Sequence, residues 1–177
     1  MKAHLFLIGL VIILFLNSCT GGGPNIVNQY GYNVEIIAEG TLKHGTGYTT
    51  FLYKDYNTLL ADKKKELANK LASEKDAEKE LLAIPRGGIA TIEIARTTID
   101  AANTNMFEYV IFENGKEIYR KHGKNSVPNA PHTGDGIHWW NVDLITFPKP
   151  ITNQMTVYVV DNLHQIRAKY IITKTKK

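Results

Sequence analysis

The chain has 177 residues, 44% hydrophobic and 21% charged, with a formal net charge of +4. That length is one globular domain plus a leader. The charge is too mild for a nucleic-acid-binding face, since Lys174, Lys176 and Lys177 at the end of the chain supply most of the excess. The single cysteine, Cys19, excludes an internal disulfide, so the core alone must hold the fold, as a domain burying roughly 70% of its unfolded surface can do.

The chain opens with Lys2 and then an apolar run from Leu5 to Leu16, interrupted only by Gly9. Twelve helical residues reach about 18 Å, short of the roughly 30 Å of a bilayer core, so the run suits the apolar region of a cleaved signal. Leu16-Asn17-Ser18-Cys19 follows. It resembles the lipobox of bacterial lipoproteins: an aliphatic residue three before the cysteine and a small residue directly before it. Asn17 departs from the small or apolar residue usual at its position. The resemblance implies acylation of Cys19 by a diacylglyceryl group and an amide-linked chain such as palmitate, with cleavage before it. The alternative is an ordinary secretory leader with a chance cysteine. Two or three acyl chains hold a protein stably on a membrane. Thr20, in place of Asp, implies outer-membrane sorting with the domain facing the periplasm. Residues 1–18 thus read as signal peptide, 19–31 as lipidated cysteine and tether rich in Gly, and 32–177 as one domain.

In that domain Val34, Ile36 and Ala38 alternate with Glu35, Ile37 and Glu39, a strand signature. Gly45 to Tyr53, rich in Thr and aromatic residues, predicts a second strand. Residues 57–83 lack Gly and Pro, and Leu60, Leu67, Leu71, Leu81 and Leu82 recur near helical spacing. One long helix or two short ones are expected there, laid on the sandwich, with Glu66–Lys70 and Lys70–Glu74 as i,i+4 pairs. Ile89 to Thr97 and Met106 to Glu113 alternate again. The second runs into Asn114-Gly115, the strongest short hairpin signal, so Lys116 to Lys121 should return antiparallel. A loop from His122 to Gly136 follows, then strands at Ile137 to Phe147, Gln154 to Val160 and Gln165 to Thr173. Seven or eight strands with turns between them predict a mainly β fold: an antiparallel two-sheet sandwich of the immunoglobulin, transthyretin or C2 kind.

No nucleophile motif, phosphate loop or dinucleotide fingerprint is present, and the expectation is a protein without enzymatic activity or cofactor. The residues nearest to a site are His132, Asp135 and His138, whose spacing would let two imidazoles and a carboxylate meet in a tight loop; the plain reading is a turn-rich loop. His44, His122 and His164 read as isolated surface residues. Trp139 and Trp140 are neighbours on a strand and point to opposite faces. One is expected in the core; the other is either packed under a loop or exposed as a partner anchor. Trp139, Trp140, His132, Asp135 and His138 are therefore the candidate partner-binding residues.

The order of these parts, from lipobox and tether through the strand Asn33 to Glu39, the Tyr-rich strand Tyr48 to Tyr53, the helical insertion and the aromatic strand Phe107 to Phe112, resembles the outer-membrane lipoprotein of type VI secretion systems. The likeness spans about Asn33 to Arg120, and Pro85-Arg86-Gly87 stands where that family has a Pro-Gly turn. It implies a small sandwich on the outer membrane that binds the periplasmic part of another envelope protein. Two other readings stand beside it: an immunity or inhibitor lipoprotein acting through the 122–136 loop, and a metal-dependent envelope enzyme using His132, Asp135 and His138.

Overall fold

The computed structural model describes residues 25–39, 47–131 and 136–175, and the leader, Cys19, His44, His132 and Asp135 lie outside them. Nine strands build two antiparallel sheets. The larger has the order β1 (Asn25–Gln29), β2 (Tyr32–Glu39), β9 (Ile166–Lys174), β8 (Gln154–Asp161), β5 (Phe107–Glu113) and β6 (Lys116–His122). The smaller joins β3 (Gly47–Lys54), β4 (Ile89–Arg96) and β7 (Trp139–Thr146). The chain is thus a two-sheet β-sandwich, as its period-two segments predict.

The alternating apolar positions meet between the sheets. Ile92, Ile94 and Ile145 of the smaller sheet face Phe107, Tyr109, Ile111, Val157 and Ile172 of the larger, all fully buried. Phe51 stacks on Tyr170 across the gap with ring centroids 4.5 Å apart, a geometry that adds to plain area burial. Asn114 and Gly115 take φ of 50° and 76°, the two positive values that a type I′ turn requires, so β5 and β6 form the expected hairpin.

The sandwich begins earlier than residue 32. Asn25–Gln29, expected in the tether, pairs with β2 through the turn Tyr30-Gly31, whose φ values are 51° and 85°. This too is a doubly positive turn, but a Tyr at its first centre gives no signal, because bulky L-residues disfavour that conformation. Strand β1 itself is exposed over four of its five residues and so has no alternation to read.

The insertion is two helices, α1 (Tyr56–Asn69) and α2 (Glu74–Leu82). Asp55 caps the first by accepting from Thr58 N, and Ser73 caps the second by accepting from Asp76 N. Between them Leu71 adopts φ 51°, Ala72 N donates to Leu67 O and Leu71 N to Ala68 O. That is a Schellman ending with leucine in the place glycine usually holds. The break corrects two expectations. The leucine stripe does not run through, since Leu67 is buried while Leu71 and Leu82 are 90% and 76% exposed. Lys70 and Glu74 no longer share a helix. Instead Lys63 bridges Glu66 and Glu80, tying α1 to α2, while Lys63 and Lys70 together hold the Glu66 carboxyl down at about 2. The two helices pack on each other, and α1 meets the smaller sheet through the Lys54–Asp62 ion pair at 2.7 Å.

Two short elements, the one-turn α3 (Ile99–Ala102) and a 3-10 turn (Thr104–Met106), carry the chain from β4 to β5. Among the described residues no helix is long and apolar enough to cross a membrane.

Candidate functional site

The two sheets are cross-linked by charge at the end where β4 and β8 finish. Arg96 and Asp161 are 1% and 2% exposed. Arg96 Nε and Nη2 donate to Asp161 Oδ2 at 3.2 and 2.9 Å, Nη2 also to Thr49 Oγ1, and Nη1 to the carbonyls of Tyr48 and Ala95. Asp161 also takes His164 N at Oδ1 and lies 2.9 Å from His164 Nδ1. His164 is therefore not isolated, and His122, though on the surface as expected, reaches Glu108 at 3.1 Å. Every N–H group of the Arg96 guanidinium has an acceptor, so Arg96 and Asp161 form a saturated inter-sheet tie.

A second tie joins β5, β6 and β7. Lys121 Nζ donates to Asp143 Oδ1 at 2.7 Å and to Leu144 O at 2.8 Å. Asp143 Oδ2 and the Tyr109 hydroxyl are buried and make no other hydrogen bond. Burial first, and the Asp143 charge second, push the Tyr109 phenol far above its ordinary range.

Strand β7 carries the predicted site residues. Trp139 pairs with Arg96 and Trp140 with Ala95, so the two indoles do take opposite faces. Neither lies in the core: both are half-buried, because they sit at the end of β7 where the sheets part. Trp140 Nε1 donates to Ala130 O at 3.0 Å, and the imidazole of His138 meets the Tyr48 ring edge-on at 5.8 Å. These rings, with Ala95 between Tyr48 and Trp140, form one end of the outward face of the smaller sheet. Among the described residues no group of three or more metal-ligating side chains gathers.

Beyond the aromatic end, the same face presents Leu52, Val142 and Leu144, exposed at 37%, 41% and 52%. Glu93 is its one carboxylate, bonded by the Tyr48 hydroxyl at 3.3 Å. The register also places Thr50, Thr91 and Thr146 on this face, Ala95 at its aromatic end is fully buried, and Ile89 at the other end lies beside Leu59 and Ile84 of the helical insertion. An exposed apolar patch such as Leu52, Val142 and Leu144 is the kind of surface that can mark an interaction site.

Both edges of this sheet are closed to a further strand. On the β3 side the Gln29 amide behaves like a strand partner: Nε2 donates to Phe51 O at 2.8 Å and Oε1 accepts from Tyr53 N at 2.9 Å. The Tyr170 hydroxyl takes Thr49 O, and Arg96 takes Tyr48 O. On the β7 side Asn129 exchanges both backbone bonds with Trp140. Val142 N and Leu144 N are turned onto the carboxamide of Asn141 and the carboxylate of Asp143. Blocked edges are how sheets avoid unwanted pairing.

The segment from Gly123 to Pro131 forms the rim of that face. Gly123 N donates to Phe107 O, Thr104 Oγ1 to Lys124 O, Asn103 Nδ2 to Asn125 Oδ1, and Asn141 Nδ2 to Ser126 O. The described part of the expected loop is therefore pinned along the sandwich and presents Val127 at 85% exposure. Of the residues singled out in the sequence, His138 and Trp140 stand at the end of this face, while Tyr48, Leu52, Val142 and Leu144 on the same face look like ordinary strand residues until the pairing of β3, β4 and β7 is known.

No family model matches the chain, and neither does any curated protein.

Proposed function

We propose that this protein is a lipid-anchored binding module of the bacterial envelope, docking a partner protein on the outward face of its three-stranded sheet. The observation that carries the reading is the exposed apolar patch of Leu52, Val142 and Leu144, beside the Tyr48, His138 and Trp140 rings, on a sheet with both edges closed. The face alone falls short of the roughly 800 Å² that a stable interface takes from each side, so the partner also covers the Val127 and Ile137 rim, where side chains are 85% and 58% exposed.

Within this class, our particular reading is the outer-membrane lipoprotein of a type VI secretion complex. Its support is architectural: a two-sheet sandwich with a helical insertion between the second and third of its longer strands, following the lipobox-like Leu16 to Cys19.

Two experiments test the two halves of the proposal. Cys19→Ala should leave an unprocessed precursor, and globomycin should do the same to the wild type; normal cleavage in both would sink the anchor. A photo-crosslinker at Leu144, in cells, should capture one envelope protein that the same probe at Lys116 on the far edge does not. Leu144→Asp should abolish that product without lowering the amount of folded protein. Identical patterns from both probe positions would refute the docking face.

A further inference from the structure

The outward face of the larger sheet carries a groove of about 680 Å³, on the opposite side of the sandwich from the docking face. Its origin is local. The β5–β6 hairpin has a bulge where the register slips between Ile111 and Phe112, and a bulge bends the strand and increases its twist. The tip at Asn114-Gly115 becomes one wall, and β9 forms the opposite wall.

The lining is chemically specific. Phe112 and Tyr158 meet edge to face at 5.7 Å and, with Val110, form an apolar floor. The Arg167 guanidinium lies over the Tyr158 ring, 5.0 Å from its centre. The carboxylate on the other wall, Glu108, is already engaged by Arg120 at 2.7 Å and His122 at 3.1 Å. In contrast to the saturated Arg96 cluster, the side chains of Asn114, Gln154, Thr156, Tyr158 and Lys169 make no polar contact with any described residue.

Strands β5, β8 and β9 are paired on both sides, so apart from the Asn114-Gly115 turn a ligand here meets side chains. That disfavours an added peptide strand, which needs a free edge, and a nucleotide phosphate, which is typically cradled by backbone N–H groups. Two carboxamides and two hydroxyls, each both donor and acceptor, match ligand hydroxyl groups. The aromatic floor, with the Arg167 guanidinium stacked on Tyr158, suits the C–H face of a ring, and the Lys169 ammonium on β9 calls for negative charge. We propose that this groove binds a carboxylated oligosaccharide, with its acid group toward Lys169 and its hydroxyls toward Gln154, Thr156 and Tyr158.

The test is calorimetric titration of the full chain, extracted in a neutral detergent, with trigalacturonate, with the neutral galactose trimer and with inorganic phosphate. We expect saturable binding of trigalacturonate, at least tenfold weaker binding of the neutral trimer and of phosphate, and a further weakening with salt. Lys169→Gln and Gln154→Ala, both on a solvated sheet face, should each weaken trigalacturonate at least fivefold at unchanged far-ultraviolet circular dichroism and melting temperature. Leu144→Asp, on the other sheet, should leave it unchanged, so this proposal and the docking face fail independently. Absence of saturable binding, equal binding of the neutral trimer or of phosphate, or insensitivity to both groove substitutions would overturn the assignment.

Discussion

Replacing Arg96 by Met keeps most of the stem volume and removes the charge, which isolates the worth of the inter-sheet tie. Two charge-assisted bonds to Asp161 and three bonds to neutral acceptors disappear. At roughly 1.5 kcal/mol for each of the first and about 1 for each of the others, the gross loss is about 6 kcal/mol. Two things reduce it. Asp161 keeps His164 N at 3.0 Å and His164 Nδ1 at 2.9 Å, so its carboxylate is not left bare, and the Met side chain packs where the guanidinium lay over Phe107. The expected net loss is about 4 kcal/mol, within the range of about 3–5 for breaking one side of a buried pair. Asp161→Leu should cost a similar amount by stranding the guanidinium. The double variant should then lose less than the two singles together, and about as little as the milder single, because neither charge is left behind. Urea unfolding followed by circular dichroism measures all four proteins. Singles that cost under about 1 kcal/mol, or a strictly additive double, would refute the view that this cluster ties the sheets.

Three smaller tests probe other links from residue to fold. Leu71→Gly should stabilise by about 0.5 kcal/mol, since an L-residue in the left-handed region costs roughly 1–2 kcal/mol and glycine returns part of that as unfolded-state entropy; Leu71→Ala, which keeps the β-carbon, should give no gain in thermal melting. Gly115→Ala should cost about 1 kcal/mol through the backbone alone, because φ is 76° and no atom lies within 4 Å of the added methyl; an unchanged urea midpoint would argue against the type I′ turn. Burial pushes the Tyr170 phenol up to about 12. Its folded value therefore lies above its unfolded one, and the stability it contributes is whole below about pH 10 and lost as pH rises to about 12, amounting to roughly 3 kcal/mol. Tyrosinate absorbance should rise together with loss of near-ultraviolet dichroism over that window, and full ionisation without unfolding would contradict it.

Much of this protein is legible one strand at a time. The alternation of Ala90, Ile92 and Ile94, or of Phe107, Tyr109 and Ile111, reads directly as a buried face, because each strand residue's neighbours point the other way. Asn114-Gly115 names its own turn, since few other pairs tolerate two positive φ values. The helical insertion is readable for a similar local reason, as residues 57–83 lack Gly and Pro and carry leucines near helical spacing.

What strand patterns do not carry is which strands become neighbours and which faces remain bare. Arg96 ends β4 as a charged residue on an inward position, and only Asp161, far along the chain in the other sheet, makes that position tolerable. Tyr48, Leu52, Val142 and Leu144 form one surface only because β3, β4 and β7 pair in a particular register. Sequence by itself determined the local conformations, through sterics, alternation and capping, all of which act over a few residues. The outward face of the smaller sheet, the groove beside the β5–β6 hairpin and the buried charge that joins the sheets were decided by tertiary structure, because each depends on side chains that meet only when distant strands are brought together.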